Sequence, residues 1–104
     1  MQVVFTPAAR AELVDAQDWY EAKHTGLGTR FREEVEAAVL RLQENPYQFP
    51  TVFRDVHRAR LRKFPYGLFF RVEISALVVI ACFHGSRDPQ RWERRGELGA
   101  VVGE

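Results

Sequence analysis

The feature that most constrains the fold is an uninterrupted apolar run near the end of the sequence, which reads ALVVIACF from residue 76 to residue 83. A half-exposed strand alternates apolar and polar side chains, whereas this run is apolar at both alternating positions. It is also far too short to span a bilayer as a helix. We therefore predict a strand that is covered on both faces and lies in the interior of its sheet.

Two further strands are predicted before this run. The segment HRARLRKF, residues 57–64, alternates with a period of two, and YGLFFRV follows at residues 66–72. The four residues EISA separate YGLFFRV from LVVIACF, and this length suits a hairpin. The sequence therefore predicts three consecutive strands, of which the last two are antiparallel neighbours.

The first half of the chain has the period of amphipathic helices. VVF at residues 3–5 predicts a short strand, after which Thr6 can cap a helix and Pro7 suits its first turn. The first helix should end near Gly26 and the second at Asn45-Pro46. Each has one apolar face, formed by Ala9, Leu13, Ala16 and Tyr20 in the first helix and by Phe31, Val35, Ala38, Val39 and Leu42 in the second. Two such helices joined by a short link are expected to pair antiparallel.

The predicted fold is α+β, with a two-helix antiparallel hairpin packed on a small, mostly antiparallel twisted sheet in the order β-α-α-β-β-β. A chain of 104 residues suits one domain, which we place at residues 1–95, followed by a loose C-terminal tail at 96–104. The single cysteine, Cys82, lies inside the apolar run, so we expect an unreactive buried thiol in a reducing compartment. The N-terminus reads as a strand, so we expect a cytoplasmic protein that does not bind membranes.

Charge is divided unevenly along the chain. Residues 1–45 carry five Lys/Arg and eight Asp/Glu, a net charge of −3. Residues 46–104 carry ten Lys/Arg and six Asp/Glu, a net charge of +4. An anionic partner is therefore expected to contact the second half.

Arg58, Arg60 and Arg62 occupy alternate positions of a predicted strand, with Ala59 and Leu61 on its other face. Same-face residues on a strand lie about 6.5–7 Å apart, so three guanidiniums can follow the phosphates of an extended RNA strand. A strand whose outward face is charged to prevent edge-to-edge pairing has the same pattern. The arginines alone are consistent with both interpretations.

Other polar residues carry weaker signals. Arg71 can join the three arginines or pair with Glu73 or another carboxylate, and pairing is the simpler interpretation. His24 and His57 show no metal-ligand spacing, and no Cys/His pair resembles a zinc site. We therefore predict no metal and no cofactor.

The apolar strand delivers a group of polar residues at its end. His84 is followed by Arg87, by Asp88-Pro89 and by Trp92. A histidine with a pKa of about 6.5 can act as a general acid or base beside an arginine that holds a phosphate. Alternatively, Arg87 pairs with a carboxylate and the Asp-Pro turn closes the end of the strand. The sequence identifies no orienting partner for this histidine, which favours the structural interpretation.

Several short motifs occur in order along the chain. They are WYE at 19–21, GLG at 26–28, F-x-x-E-V at 31–35, L-x-x-N-P at 42–46, an arginine followed by FPY at 58–66, and H-x-x-RDP-x-x-W at 84–92. Together, over about residues 3–95, this set resembles the RelE/ParE superfamily of bacterial toxins. The resemblance implies a growth-inhibiting toxin of a type II toxin-antitoxin, or plasmid stabilisation, system. It also implies a cognate antitoxin that wraps around the toxin in a hetero-oligomer and holds it inactive.

The superfamily divides by target. RelE-like members cut messenger RNA on the ribosome, with basic residues on the middle strands and an arginine directly after a G-Y element. Pro65-Tyr66 falls on that element here, and the next residue is Gly67 rather than arginine. If this chain is RelE-like, the resemblance implies a catalytic set of Arg60, Arg62, His84 and Arg87.

ParE-like members bind DNA gyrase and trap its complex with DNA without catalysing a reaction. The FPYG and H-x-x-RDP-x-x-W elements resemble ParE-like and unassigned plasmid-stabilisation members more closely than the nucleases. We therefore expect a ParE-like toxin with target-binding residues Arg58, Arg60, Arg62, Arg71 and Arg87. The alternatives are a ribosome-dependent messenger RNA endoribonuclease and an inactive family member that acts as a binding module.

Overall fold

A computed structural model of the chain describes residues 1–85. The elements follow the order β-α-α-β-β-β-β, with a short 3₁₀ helix at Pro46–Gln48 after the second α-helix. Their bounds are β1 Gln2–Phe5, α1 Pro7–Lys23, α2 Leu27–Glu44, β2 Thr51–Phe53, β3 Val56–Arg60, β4 Tyr66–Val72 and β5 Ala76–His84. The α+β prediction and the helical hairpin on a mostly antiparallel sheet are confirmed.

Strand β5 lies in the interior of the five-stranded sheet, as its apolar run predicts. Within residues 1–85 the strand order is β1-β5-β4-β3-β2, with β1 and β5 parallel and the other three pairs antiparallel. Between Phe69 and Phe70 of β4 the register shifts, because the partner changes from Ala81 to Val79. Ile80 is the extra residue of this bulge, so Ile80 and Ala81 both join the cluster on the face away from the helices.

The prediction of four strands misses one strand. The proline-rich connection after α2 contains β2, which pairs antiparallel with β3 through Thr51 opposite His57. The tight turn between them places Arg54 at a φ of 52°, in the left-handed region. Val52 of β2 packs against the apolar cluster on the sheet face away from the helices, and this contact helps to hold β2 beside β3.

The start of α1 forms as the sequence predicts. The Thr6 hydroxyl accepts a hydrogen bond from the Ala9 N–H at 3.2 Å, and Pro7 occupies the first turn. The predicted inward faces of both helices are buried or half-buried against the sheet. The main core therefore lies between the helical hairpin and one face of the sheet.

A carboxylate closes the turn between the two helices. The two Glu21 oxygens accept hydrogen bonds from the N–H groups of Gly26 and Gly28, each at 2.9 Å. Gly26 has a φ of 88°, and a Cβ on Gly28 would lie 2.7 Å from the Gln17 carbonyl oxygen. These contacts give a physical reason for the WYE and GLG motifs.

Replacing Glu21 with alanine should lower the free energy of unfolding by about 1–2 kcal/mol. The change removes a charged acceptor from two N–H groups at the start of α2, where the helix dipole also favours a negative charge. Urea unfolding monitored by circular dichroism measures the difference. The exposed Glu36 of α2 provides a control, whose replacement should change stability by less than about 0.5 kcal/mol. Equal losses in the two variants would contradict this role for Glu21.

Several predictions fall outside the described residues. These are the positions of Arg87 and Trp92, the Asp88-Pro89 turn, the domain boundary at residue 95 and the tail at 96–104, and all of them stay predictions. Within residues 1–85, no helix is both long enough and apolar enough to cross a membrane.

Candidate functional site

Of the three arginines predicted to share one strand face, Arg58 and Arg60 do lie on the same face of the sheet, away from the helices. Arg58 is opposite Phe69 and Arg60 is opposite Gly67 on β4. Ala59, between them, is fully buried in the core on the helix side. The predicted alternation of this strand is therefore confirmed for Arg58, Ala59 and Arg60.

Arg62 does not continue this row. Strand β3 ends at Arg60, and the exposed Arg62 lies in the bend that leads to β4. The chain turns here because Phe64 and Tyr66 pack against Phe31 in the helix-side core, with ring centroids 5.2 and 5.3 Å away. The prediction of three arginines on one strand face is wrong at its third position.

Gly67 provides space for the Arg58 side chain. A Cβ at this position would lie 3.3 Å from the Arg58 Cγ and 3.6 Å from its Cδ. The aliphatic stem of Arg58 therefore crosses β4 at a position without a side chain. Gly67 is thus more than a missing arginine, because a side chain at this position would crowd the Arg58 stem.

The two arginines form a concentration of like charge. Burial, and then the neighbouring charge of Arg60, lower the pKa of Arg58 from its usual value. Between residues 46 and 85 the chain has six Lys/Arg and two carboxylates, Asp55 and Glu73. Neither carboxylate forms a salt bridge with Arg58 or Arg60 within the described part of the chain.

Arg71 forms ion pairs with both of these carboxylates. Its Nη2 lies 3.0 Å and its Nε 3.2 Å from the Asp55 Oδ2, and its Nε lies 3.9 Å from the Glu73 Oε1. The structure thus agrees with the pairing interpretation of Arg71. Its guanidinium is engaged by the β2-β3 turn and by the end of its own strand.

His84 lies at the end of β5, opposite Tyr66, and the two ring centroids are 5.4 Å apart at nearly right angles. Its side chain borders a pocket of about 290 Å³ at the end of the sheet. The same pocket is lined by Arg58, Arg60, Phe64 and Tyr66. The structure therefore brings together three of the predicted site residues, Arg58, Arg60 and His84, around one small opening.

The other predicted site residues do not line this pocket. Arg62 and Arg71 are absent from its walls, and Arg87 falls outside the described residues. Across residues 1–85, no group of three His, Cys, Asp or Glu side chains is arranged to hold a metal ion. The pocket is basic and partly aromatic, which suits it to binding an anionic group.

A larger groove, of about 630 Å³, lies between α1, the start of β4 and the end of β5. Glu12, Asp15 and Trp19 of α1 form one side, and His84 borders it from β5. Trp19 is 55% exposed although it stands next to the inward-facing Tyr20. In the sequence, the signal for this groove is a tryptophan at helical spacing from the acidic residues Glu12 and Asp15.

Cys82 is buried beside this groove, as predicted. Its backbone N–H donates to the Glu12 carboxylate at 3.0 Å, beyond the point where β1 stops pairing with β5. Burial, with a smaller contribution from the Glu12 charge, raises the pKa of the Cys82 thiol from 9.0 to about 12. The thiol is therefore neutral and poorly nucleophilic at physiological pH.

This raised pKa makes stability fall at alkaline pH. Below about pH 9 the thiol is protonated in both the folded and unfolded states and contributes no pH dependence. Above that pH the unfolded chain loses the proton first, so the free energy of unfolding falls by at most about 1.4 kcal/mol per pH unit. Urea unfolding between about pH 8 and 10 should show a smaller decline for Cys82→Ala than for the unmodified protein. Identical slopes would contradict the assignment.

Residues 3–89 match the family model described as the ParE toxin of the type II toxin-antitoxin system, parDE. Among solved structures, the fold is similar to one described as the chromosomal ParDE TA system from P. aeruginosa, with a TM-score of 0.69 and 21% sequence identity. That similarity covers 81% of this chain and 95% of the other. None of the curated proteins compared with the sequence matches it.

Proposed function

This chain belongs to the ParE toxin family of type II toxin-antitoxin systems, and from that premise we propose that it inhibits growth by binding DNA gyrase in the cytoplasm. Membership of the family implies a cognate antitoxin as its partner. The gyrase target follows from the resemblance to ParE-like rather than RelE-like members. The observation that carries this choice is Gly67, together with the Arg58 stem that lies against it.

A RelE-like nuclease needs a cation at the position after the G-Y element. Removal of one positioned charge donor from a transition state typically costs about a hundredfold to a thousandfold in rate. Here a side chain at position 67 would meet Arg58, so the surrounding contacts favour a residue without one. Arg62, which belongs to the predicted catalytic set, lies beyond the end of β3. Binding without catalysis requires neither residue.

We propose that the target-binding surface includes Arg58 and Arg60. Both present guanidiniums on the sheet face away from the helices, and neither has a salt-bridge partner in the described part of the chain. Arg71 is removed from this proposal because Asp55 and Glu73 engage it. Arg62 and Arg87 stay predictions for the same surface.

Production of the protein without its antitoxin should stop growth within a few generations and induce the DNA-damage response, because trapped gyrase leaves broken DNA. A transcriptional reporter of that response, measured beside culture density, provides the test. Growth arrest with no reporter induction would contradict a gyrase mechanism. Normal growth at high protein level would instead support an inactive member that acts as a binding module.

The second candidate function is a ribosome-dependent messenger RNA endoribonuclease. The specific observation in its favour is that Arg58, Arg60 and His84 line one pocket, so two cations lie near one group able to move a proton. Primer extension on messenger RNA after induction distinguishes it from the first. New cleavage ends inside translated regions, absent in a His84→Ala variant, would establish the nuclease and overturn the gyrase proposal.

A further inference from the structure

The sheet face away from the helices is apolar, and neither α-helix covers it. The buried cluster on this face consists of Val56, Phe69, Ile80, Ala81 and Phe83. The helices α1 and α2 pack on the opposite face, where they enclose the main core. All five strands belong to one sheet, so within residues 1–85 this face has no second layer of secondary structure.

The large side chains of this cluster are nonetheless almost fully enclosed. Phe69 is 2% exposed, Ile80 2% and Phe83 4%. An antiparallel sheet face with no layer over it is normally in contact with water. Neighbours in the same sheet, such as the Phe69 and Phe83 rings with centroids 5.8 Å apart, shield the sides of these groups but not their outer ends. The burial of Ile80 therefore requires a covering group from elsewhere.

The next segment of the chain has the position and the composition to provide this cover. It follows β5 directly, and β5 contributes Ile80 and Phe83 to the cluster. Residues 86–95 read SRDPQRWERR, in which Trp92 is the one large apolar side chain. A chain spans up to about 3.3–3.6 Å per residue, so this tryptophan can reach any part of three strands that lie about 4.8 Å apart.

We propose that residues 86–95, here called the C-terminal strap, turn back over this sheet face and place Trp92 on the apolar cluster. Asp88-Pro89 provides a turn that reverses the chain direction after β5. A tryptophan buries about 150–250 Å² and so covers several side chains at once. The strap lies outside the described residues, and the inference rests on the burial of the cluster that it would cover.

The composition of the strap favours this occupant over a second copy of the chain. Apart from Trp92 and Pro89, every side chain of the strap is polar or charged. A strap with its tryptophan inserted would therefore present a polar outer surface and leave no large apolar patch on this face. The strap also contains Arg87, so it would bring this predicted target-binding residue to the face that presents Arg58 and Arg60.

The chain contains two isoleucines and two tryptophans, which makes a specific test possible. Ile80 lies in the cluster at 2% exposed, whereas Ile74, between β4 and β5, is 101% exposed. Nuclear magnetic resonance on the full chain with ¹³C-labelled isoleucine δ1 methyl groups gives one signal for each. We expect a nuclear Overhauser effect between the Trp92 indole protons and the Ile80 methyl group, and none between that indole and Ile74.

Two substitutions identify the covering group. Trp92→Ala should shift the Ile80 methyl signal and allow a soluble paramagnetic agent to broaden it, while the Ile74 signal is broadened equally with and without the substitution. Trp19→Ala is the matched control, because Trp19 is 55% exposed in the groove beside α1, and it should leave the Ile80 signal in place. If Trp92→Ala fails to fold, Trp92→Phe retains an apolar cover and should still shift the Ile80 signal.

Each other outcome would overturn the inference. Contact of the Trp92 indole with the Ala16 methyl group would place the segment in the groove beside α1. A dimer mass by light scattering, with an Ile80 signal that changes on dilution, would assign the cover to a second copy. A Trp92 indole with no contact to a buried methyl group would exclude the strap. Because the samples contain no gyrase, failure of the proposed function would leave these results unchanged.

Discussion

Replacing Phe31 with alanine is expected to lower the free energy of unfolding by about 3–5 kcal/mol. Phe31 is fully buried. Its ring lies 5.2 to 5.3 Å, between centroids, from those of Tyr20, Phe64 and Tyr66. The substitution would therefore leave a cavity where α1, α2 and the start of β4 meet. The surrounding side chains should fill this cavity only in part, because Tyr20 also packs on Phe64 and on Tyr66 and these contacts hold the rings in place.

Such a loss is a large share of the roughly 5–15 kcal/mol that stabilises a domain of this size. At about 4–8 °C per kcal/mol, the midpoint of thermal unfolding should fall by roughly 12–40 °C. Calorimetry or urea unfolding measures the effect. Tyr47→Ala is a suitable control, because Tyr47 is 71% exposed and its removal should change stability little. A loss below about 1 kcal/mol for Phe31→Ala would contradict the central place given to this cluster.

The same cluster explains why the aromatic residues of the FPY motif matter to the candidate site. Phe64 and Tyr66 touch the helical hairpin on one side and border the Arg58-Arg60 pocket on the other. Helix packing therefore determines the position of the pocket wall. We expect Phe31→Ala, where it still folds, to weaken target binding as well as stability.

The sequence was sufficient for the main architecture because each main element has a strong period. The apolar run of β5 predicted an interior strand covered on both faces, and its side chains do pack into a separate apolar cluster on each face of the sheet. Thr6 and Pro7 marked the start of α1. These signals are local or depend only on burial, so they can be recognised without tertiary contacts.

The features that were missed depend on contacts between distant residues. Strand β2 is three residues long and follows a proline-rich segment, so no period identifies it. The alternation that begins at Arg58 predicts a strand through Arg62, but β3 ends at Arg60, before the segment in which Phe64 packs on Tyr20. Likewise, the contact of Gly67 with Arg58 joins two strands, and only the register reveals it.

Reversing the charge of both Arg58 and Arg60 is expected to reduce toxicity and target binding by at least about a hundredfold. Each guanidinium that contacts a carboxylate or phosphate of a partner is worth about 2–5 kcal/mol when the contact is buried, and a reversed charge adds repulsion. Stability should change little, because one pair of like charges replaces another on a partly exposed face of the sheet. The Arg58→Glu/Arg60→Glu variant should therefore fold normally and permit growth.

A control for this variant is Arg30→Glu, which places a single charge reversal on the exposed surface of α2. Arg30 does not line the pocket that contains Arg58 and Arg60. Its variant should remain toxic. If both variants lose toxicity equally, net charge rather than the arginine pair would be responsible, and the proposed target-binding surface would be wrong.

The central claim is tested most directly by a supercoiling assay with purified gyrase, relaxed plasmid and ATP. The unmodified protein should block supercoiling and leave linear plasmid after the gyrase is denatured and digested. The Arg58→Glu/Arg60→Glu variant should have no effect at the same concentration, and Arg30→Glu should act like the unmodified protein. Normal supercoiling in the presence of excess unmodified protein would contradict the claim that this chain acts on gyrase.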